Sequence, residues 1–313
     1  MIIKTFDPQT LAEKETISQL TSVIWNKRFY KTGSFEISTT SDKFKVNDII
    51  AYSYNGEIHC GIVMKITVKN WERNVSGYDL KGLYSFRYIT KPKTYTGTPD
   101  TILKTLISEF LNTDNRAIPD FVISDKSVVG DTTSLSAEPG YLDKVIETFG
   151  TANEIGTAME FDLKNIIFKT LKGADKSAYI KFSRKNKTIE SIEYTNDLFN
   201  TYNVGYSTDE DGNETVVGTA SGILRRECYK DKNISDYLTE KTPIETLRGE
   251  ANEKYKYDID YVLGDYVTVA TDDLETIKQI TEIKEVHERN RTTIIPIFGT
   301  EKENPIKKIL KGA

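Results

Sequence analysis

The sequence predicts an α+β fold, mainly β, with two similar β-modules and a small α/β domain inserted between them. Three observations predict it. Residues 264–299 (GDYVTVATDDLETIKQITEIKEVHERNRTTIIPIFG) fall without a gap on residues 47–82 (NDIIAYSYNGEIHCGIVMKITVKNWERNVSGYDLKG) after a shift of 217 positions. Asp265 then lands on Asp48, Ile280 on Val63, Ile283 on Ile66, and Gly299 on Gly82. Each copy reads as a turn with Asp, a short apolar strand, a long strand, a charged turn and a closing strand. The second observation is the strict alternation of Ile58, Cys60, Ile62, Met64, Ile66 and Val68, the period of a β-strand. The third is a change of texture between 95 and 173, where apolar residues switch to helical spacing.

Each element follows in order. Ile2 and Ile3 open a strand, and TSVIWNKRFY leads through Lys31, Thr32 and Gly33 into SFEIST, a hairpin whose glycine supplies a positive φ. Phe35 and Ile37 alternate with polar neighbours, as in a half-buried strand. Thr98, Pro99 and Asp100 form a helix start, with Thr as N-cap, Pro in the first turn and an acid beside the positive helix end. Ile102, Leu103, Leu106, Ile107, Phe110 and Leu111 then supply a wide apolar face. A second helix after Pro139 and Gly140 carries Leu142, Val145, Ile146 and Phe149, and the polar stretch SDKSVVGDTTSLSAEPG before it reads as a loop. AMEFDL and NIIFKTL flank Lys164 and Asn165 as a hairpin, and a further hairpin is tipped by Asp209, Glu210, Asp211, Gly212 and Asn213. Thr242, Pro243, Ile244 and Glu245 fit a capping box for a helix carrying Leu247 and Ala251. Ile277, Ile280, Ile283 and Val286 are spaced by three, but a run of threes drifts around a helix, and β-branched content favours a strand. Ile280 and Val286 then face away from Ile277 and Ile283, so either a bulge intervenes or both faces are covered. Pro296 places the last strand at an edge or a bulge.

Composition narrows the function. The 313 residues are long enough for about two domains, 28% are charged, and the net charge is −5. That balance marks no nucleic-acid binder and repels DNA. Cys60 and Cys228 have no metal or redox spacing, which fits a reducing compartment or plain core thiols. The opening MIIKTFDPQT lacks the apolar stretch of a signal peptide, and no apolar run approaches the roughly 20 residues of a spanning helix.

No catalytic constellation emerges. The two histidines, His59 on the outward-alternating face of a strand and His287 in a charged turn, read as surface residues. There is no Ser-His-Asp set with a glycine elbow, no Cys-His signature and no phosphate-cradling glycine loop. Asp209, Glu210 and Asp211 lack the spacing of a calcium loop and read as a solvated hairpin tip. Lys307, Lys308 and Lys311 lie in a basic tail without the aromatic platforms of a nucleic-acid site. Trp25 and Trp71 read as core or rim packing rather than sugar platforms. No catalytic, cofactor-binding or metal-binding residue is therefore assigned.

Several stretches in order carry a resemblance: Trp25, Arg28-Phe29-Tyr30 and Gly33-Ser34-Phe35-Glu36-Ile37; then Val75-Ser76-Gly77-Tyr78-Asp79-Leu80-Lys81-Gly82-Leu83 with Arg87. Gly173-Ala174-Asp175-Lys176-Ser177, Phe182-Ser183, Tyr202-Asn203-Val204, Gly264-Asp265 and Pro296-Ile297-Phe298-Gly299 complete the set. Together they resemble the hub, or tail-associated, proteins of long-tailed phages, in particular the siphovirus-type tail hubs related to the T-even baseplate hub. Lys176 stands where that family usually has arginine, and the stretch after Val204-Gly205 departs into the acidic hairpin. The resemblance implies two β-barrel-like, tail-tube-type modules per chain: a first over 1–95, an α/β insert over 96–175, a second module with a helix over 176–300, and a tail over 301–313. It further implies a homotrimer whose six modules ring a channel, meeting a distal tail or tail-tube protein, the tape-measure protein, and tail-tip, spike or receptor-binding proteins. DNA would pass through that channel without specific binding. Such a virion tail part, of a phage or of a phage-derived tailocin, would be assembled in the bacterial host cytoplasm, without enzymatic activity or cofactor. In many relatives a hydrolase or fibre follows the hub, and the end at Ala313 would leave that activity to another protein. The rival readings are a tail peptidoglycan hydrolase using a carboxylate pair and a receptor- or glycan-binding module.

Overall fold

A computed structural model describes residues 1–299 apart from 129, 200, 210–211, 231–233, 241–243, 253, 273 and 290. The chain is mainly β and its described residues separate into two compact units, one of residues 1–192 with 249–297, the other of 193–248 with 298–299.

In the first unit the chain lays down β1 (Ile3–Phe6), β2 (Glu13–Ile17), β3 (Leu20–Arg28), β4 (Ser34–Thr39), β5 (Ile49–Tyr54), β6 (Glu57–Lys69) and β7 (Glu72–Asp79). The expected hairpin of β3 and β4 is present, with Trp25 opposite Phe35 and Val23 opposite Ile37. Gly33 serves it by close approach rather than by a positive φ. A Cβ there would stand 2.3 Å from the Asn26 carbonyl oxygen and 2.5 Å from an Asp79 carboxylate oxygen. β5 is buried on both faces. Ile50 and Tyr52 join Trp25, Phe35, Ile37, Val63 and Val75 in one core, while Ile49, Ala51, Cys60 and Ile62 join a second core shared with the insert. Each fully buried Ile or Phe side chain contributes about 1.5–3 kcal/mol. Beyond the register shift between Val63 and Lys65 the alternation of β6 continues; Ile66 still packs against the core, while Met64 and Val68 are 36% and 58% exposed.

The insert contains β8 (Tyr88–Ile89), β9 (Lys93–Gly97), β10 (Phe121–Ile123), β11 (Thr133–Ala137), β12 (Gly140–Tyr141), β13 (Gly156–Phe161) and β14 (Ile166–Leu171), with α1 (Pro99–Leu111) and α2 (Leu142–Ala152). Thr98 caps α1 as expected, its hydroxyl accepting from the Thr101 amide at 3.3 Å. Asp100 in the first turn is buried and receives Lys104 at 3.1 Å and the Thr170 hydroxyl. The hairpin of β13 and β14 turns on Asp162, whose carboxylate accepts from the amides of Lys164 at 2.9 Å and Asn165 at 2.6 Å. The stretch expected to be a loop holds β11, antiparallel to β9.

Next come β15 (Lys181–Ser183), β16 (Glu193–Asp197), β17 (Val204–Thr208), β18 (Glu214–Val217), β19 (Glu227–Tyr229), α3 (Ile234–Glu240) and β20 (Ile244–Arg248). In the second unit β17 pairs with β18 and β19, and β16 pairs antiparallel with β20. The Asp209 carboxylate closes the β17–β18 tip by accepting from the Asn213 amide at 2.8 Å, while Glu210 and Asp211 lie outside the described residues. The helix expected from the capping box is corrected: Ile244–Arg248 is a strand, and Thr242 and Pro243 lie outside the described residues. Cross-strand pairing with β16 overrides the local cap signal there.

The first unit resumes with β21 (Tyr266–Ala270), β22 (Glu275–Glu288) and β23 (Arg291–Gly299). Its sheet runs β23–β22–β3–β4–β7–β6–β5–β1–β2, with β21 on β22 and β15 on β21. The repeat read from the sequence is here a repeat of hydrogen bonds. Ile49 opposes Ile62 and Ile50 opposes Gly61; 217 residues later Tyr266 opposes Gln279 and Val267 opposes Lys278. Asp48 and Asp265 are both buried. Asp48 accepts from the Lys45 amide at 3.2 Å and pairs with Lys14. Asp265 accepts from the Val262 amide at 2.9 Å and the Ala174 amide at 2.9 Å and pairs with Lys176 at 2.9 Å. Asn47 and Gly264, with φ of 73° and 99°, start each copy. The match drifts only after the hairpin, because β22 ends at Glu288, two positions beyond the point that corresponds to the end of β6 at Lys69.

Ile280 and Ile283 are both fully buried, so both faces of β22 are covered there. Ile277, outside that zone, is 56% exposed.

Candidate functional site at the β3–β22 seam

Within the first unit a seam forms where β22 pairs antiparallel with β3, from Glu282 opposite Arg28 to Glu288 opposite Ser22. Hydrophobic burial could have closed this seam. The sequence instead puts charge into it. Arg28 Nε donates to Glu282 Oε2 at 2.7 Å. Tyr30 donates to Gln279 Oε1 at 2.7 Å, and Gln279 Nε2 donates to the Gly264 carbonyl at 3.0 Å, which ties the seam to the repeat turn.

The centre is Glu285, 1% exposed. Its Oε1 faces Lys27 Nζ at 3.1 Å. Its Oε2 lies 2.8 Å from His59 Nε2 and 3.2 Å from His287 Nε2. With both Nε2 atoms assigned as donors, the two imidazoles converge on one carboxylate oxygen. His287 Nδ1 continues to the Thr292 hydroxyl at 3.1 Å, whereas His59 Nδ1 is buried without a hydrogen-bond partner. Aromatic rings wall the cluster. Tyr52 stacks on His59 with centroids 4.5 Å apart, Trp25 meets His59 edge-on at 5.7 Å, and Tyr54 packs on His287 at 4.5 Å. Lys27 also pairs with Glu57 and lies 4.9 Å from the centroid of Tyr257.

The protonation states follow. Burial works to raise the Glu285 carboxyl, but hydrogen bonds from His287 and His59 and the Lys27 charge outweigh it and hold the group well below the usual carboxylate range. Burial lowers His59 from its ordinary 6.5, although its bond to Glu285 pulls the other way. Neighbouring negative groups hold the Lys27 ammonium above its usual range despite burial. Burial pushes Asp258 up to about 7, against the pull of Lys27 and with the help of Glu57 and Glu285. Near neutral pH the centre is a Lys27–Glu285 ion pair flanked by neutral His59.

This arrangement ties β3 and β6 to β22. Glu285 is committed to three partners, Lys27 at Oε1 and the two imidazoles at Oε2. Among the described residues no group of three or more His, Cys, Asp or Glu is placed to hold a metal ion, and no helix is long and apolar enough to cross a membrane. A shallow cleft of about 640 Å³ between β11 and α2 has one carboxylate, Glu138, in its lining, short of the pair that glycoside hydrolysis needs.

Both histidine readings are therefore corrected: His59 and His287 are 3% and 6% exposed, and each lies within a strand. Sequence reasoning missed Glu285 and Lys27 as well. One signal was legible, since Ile283, Glu285 and His287 share a face at period two, which puts two polar residues in line with a core position. Trp25 is core as expected, and Trp71 is 88% exposed at the β6–β7 tip. Lys307, Lys308 and Lys311 lie outside the described residues.

The model of the siphovirus ReqiPepy6 Gp37-like proteins matches residues 2–236. The chain belongs to that family. Solved structures place its fold among those of phage tail proteins. It is similar to the prophage MuSo2 43 kDa tail protein of Shewanella oneidensis, with a TM-score of 0.59 at 9% identity over 95% of either chain. The tail protein of Neisseria meningitidis MC58 gives 0.56 at 14% identity, over 92% of this chain and 94% of that one. A chain of the p2 virion baseplate gives 0.51 at 10% identity, over 96% and 100%. No curated protein matches. In this fold the seam holds β3 and β22 in register.

Proposed function

We propose that this tail protein is the hub at the distal end of the tail, a homotrimer whose paired modules make a pseudo-six-fold ring. The ring joins the tail tube or distal tail ring to the tip and surrounds the end of the tape-measure protein. DNA passes through without specific binding, in keeping with the net charge of −5. One observation carries the reading: a single chain holds two β-units with the same turn carboxylate and the same strand register. Three such chains present six equivalent units to a six-fold tube above and three-fold tip proteins below. In this reading residues 1–95 and 176–300 are the ring modules, 96–175 decorate the ring, and 301–313 form a tail. The role is structural, with no catalytic, cofactor or metal residue; the particle is a phage or a tailocin, assembled in the host cytoplasm.

Light scattering after size exclusion, over a range of concentrations, tests the ring. A trimer mass is expected, and a strict monomer at every concentration overturns it. Zymography on host cell walls tests the structural role, which clearing by the purified protein would overturn.

A further inference from the structure

The insert holds a surface that the seam does not use. β11 pairs with β9 along 133–137 and, among the described residues, with no other strand. The cleft of about 640 Å³ runs beside it. Thr133, Ser134, Leu135 and Ser136 line that cleft in unbroken succession, whereas no residue of β9 does. Successive side chains of a strand point to opposite faces, so a cleft that reaches all four follows the edge of the strand rather than one face. With β9 on the other side, that edge is the free one, and main-chain N–H and C=O groups point from it into the cleft.

The opposite wall is α2. Lys144, Val145, Thr148, Phe149 and Ala152 line it, the stripe of a single helix face along nearly the whole element. The two walls match in length, at about 17 Å for the five residues of β11 and about 16 Å for the eleven of α2. Leu135 and Val145 are half-buried against the insert core and give the groove an apolar floor, while Ser134, Ser136 and Thr148 make an exposed hydroxyl rim. An open strand edge facing a helix across an apolar floor receives an extended chain as an added strand. The main chain then supplies the hydrogen bonds, and alternate side chains reach the floor. A saccharide would use the hydroxyls and the exposed ring of Tyr141 but leave the strand edge unanswered.

Charge and register describe the incoming segment. Lys144 is paired with Glu147 at 3.1 Å. Glu138, where β11 ends, is exposed and, among the described residues, makes no hydrogen bond or ion pair. β9 shows what the other edge of β11 accepts: Lys93 opposite Ala137, Thr94 opposite Ser136, Tyr95 opposite Leu135 and Thr96 opposite Ser134. We propose that the groove between β11 and α2 binds an extended peptide segment of another protein, added antiparallel to the free edge of β11. The segment carries a basic residue at the Glu138 end, an apolar residue beside Leu135 and hydroxyl residues on either side of it. The site lies within the insert and stands apart from the trimeric reading.

The test uses the full chain and a capped, fluorescent peptide, Gly-Lys-Thr-Val-Thr-Val-Gly. Saturable binding by polarisation is expected, with slower amide hydrogen exchange over 133–137. Two further peptides carry N-methyl groups on alternate residues in the two possible phases. An added strand turns every second amide toward its neighbour, so one phase should weaken binding about tenfold and the other leave it nearly unchanged. Glu138→Lys, at an exposed position, should keep the melting temperature. It should bind the peptide about fivefold more weakly and recover when glutamate replaces the peptide's lysine. Absence of saturable binding up to about 1 mM peptide overturns the site, and equal loss in both methylation phases overturns strand addition. Slower exchange over 133–137 with a soluble cell-wall oligosaccharide, and not with the peptide, gives the groove to a saccharide and overturns the proposal as well.

Discussion

β6 and β22 are one element in two situations. β22 meets β3 inside the chain and carries Glu282 and Glu285 into the junction, buried and matched by Arg28 and Lys27. The equivalent half of β6 faces solvent with Lys65 and Lys69. A covalently tethered contact gains from the high effective concentration of its partner and can bear the desolvation of a buried charge. Exposed lysines on an open edge guard it against indiscriminate strand pairing.

The largest expected effect is at the seam. Glu285→Ala leaves Lys27 buried with one partner fewer and strips the shared acceptor from His59 and His287. Removing one member of such a cluster costs about 3–5 kcal/mol, measured by urea denaturation. At the other end of the comparison Lys65→Glu should leave the denaturation midpoint where it was, and an equal loss in both variants would erase the distinction between the strands.

The repeat turns give a smaller contrast. Asp265 accepts two backbone amides and a lysine, Asp48 one amide and a lysine. Asp265→Ala is expected to cost about 2–3 kcal/mol and Asp48→Ala about 1–2 kcal/mol, following the number of donors orphaned. A reversed order would show that the turns are not held by their carboxylates.

These turns were legible in the sequence because everything that defines them is local or repeats at a fixed offset: an Asp, a residue suited to positive φ before it, two apolar strands after. The hairpins and the first two helices were legible for the same reason. The seam was not. His59 meets Glu285 across 226 positions, and nothing near either residue marks the other. A histidine on the polar phase of an alternating strand reads as exposed until β22 is brought against it. The strand Ile244–Arg248 was misread in the converse way, since its flanking residues imitate a helix cap while its partner, β16, lies some 50 residues earlier.

Proton linkage separates the seam from the edge by pH. Asp258 has a folded value of about 7 against an ordinary 3.8. A raised carboxyl contributes stability that is whole below about 3.8 and is lost as pH rises through about 7. Asp258→Asn, which tolerates the residue's φ of 67°, should therefore gain on the wild type between those values and keep a constant lead above them. The lead is on the order of 1 kcal/mol, because solvent reaches part of the group. His59 acts in the opposite sense. Its folded value is depressed, so its contribution is present above about 6.5 and is lost as pH falls. The groups facing the two are Lys27, Glu57, Glu285 and Tyr257, all belonging to the seam, and melting curves of Lys69→Glu across the same range should overlay those of the wild type.

The smallest effect sits at the tip of the open hairpin. Lys69 pairs with Glu72 across a two-residue turn, and both turn residues, Asn70 and Trp71, have positive φ, at 47° and 72°. That turn favours Asn followed by Gly, since a bulky side chain in the left-handed region costs about 1 kcal/mol. Trp71 touches little in its own chain at 88% exposure, so its large apolar surface is of no use to the monomer. Trp71→Gly should make the isolated chain more stable by about 0.5–1 kcal/mol. In the trimeric reading proposed above, the same substitution should weaken assembly by removing an exposed apolar surface. Stability and assembly moving in opposite directions would place the reason for this residue outside the single chain; moving together, they would return it to the fold.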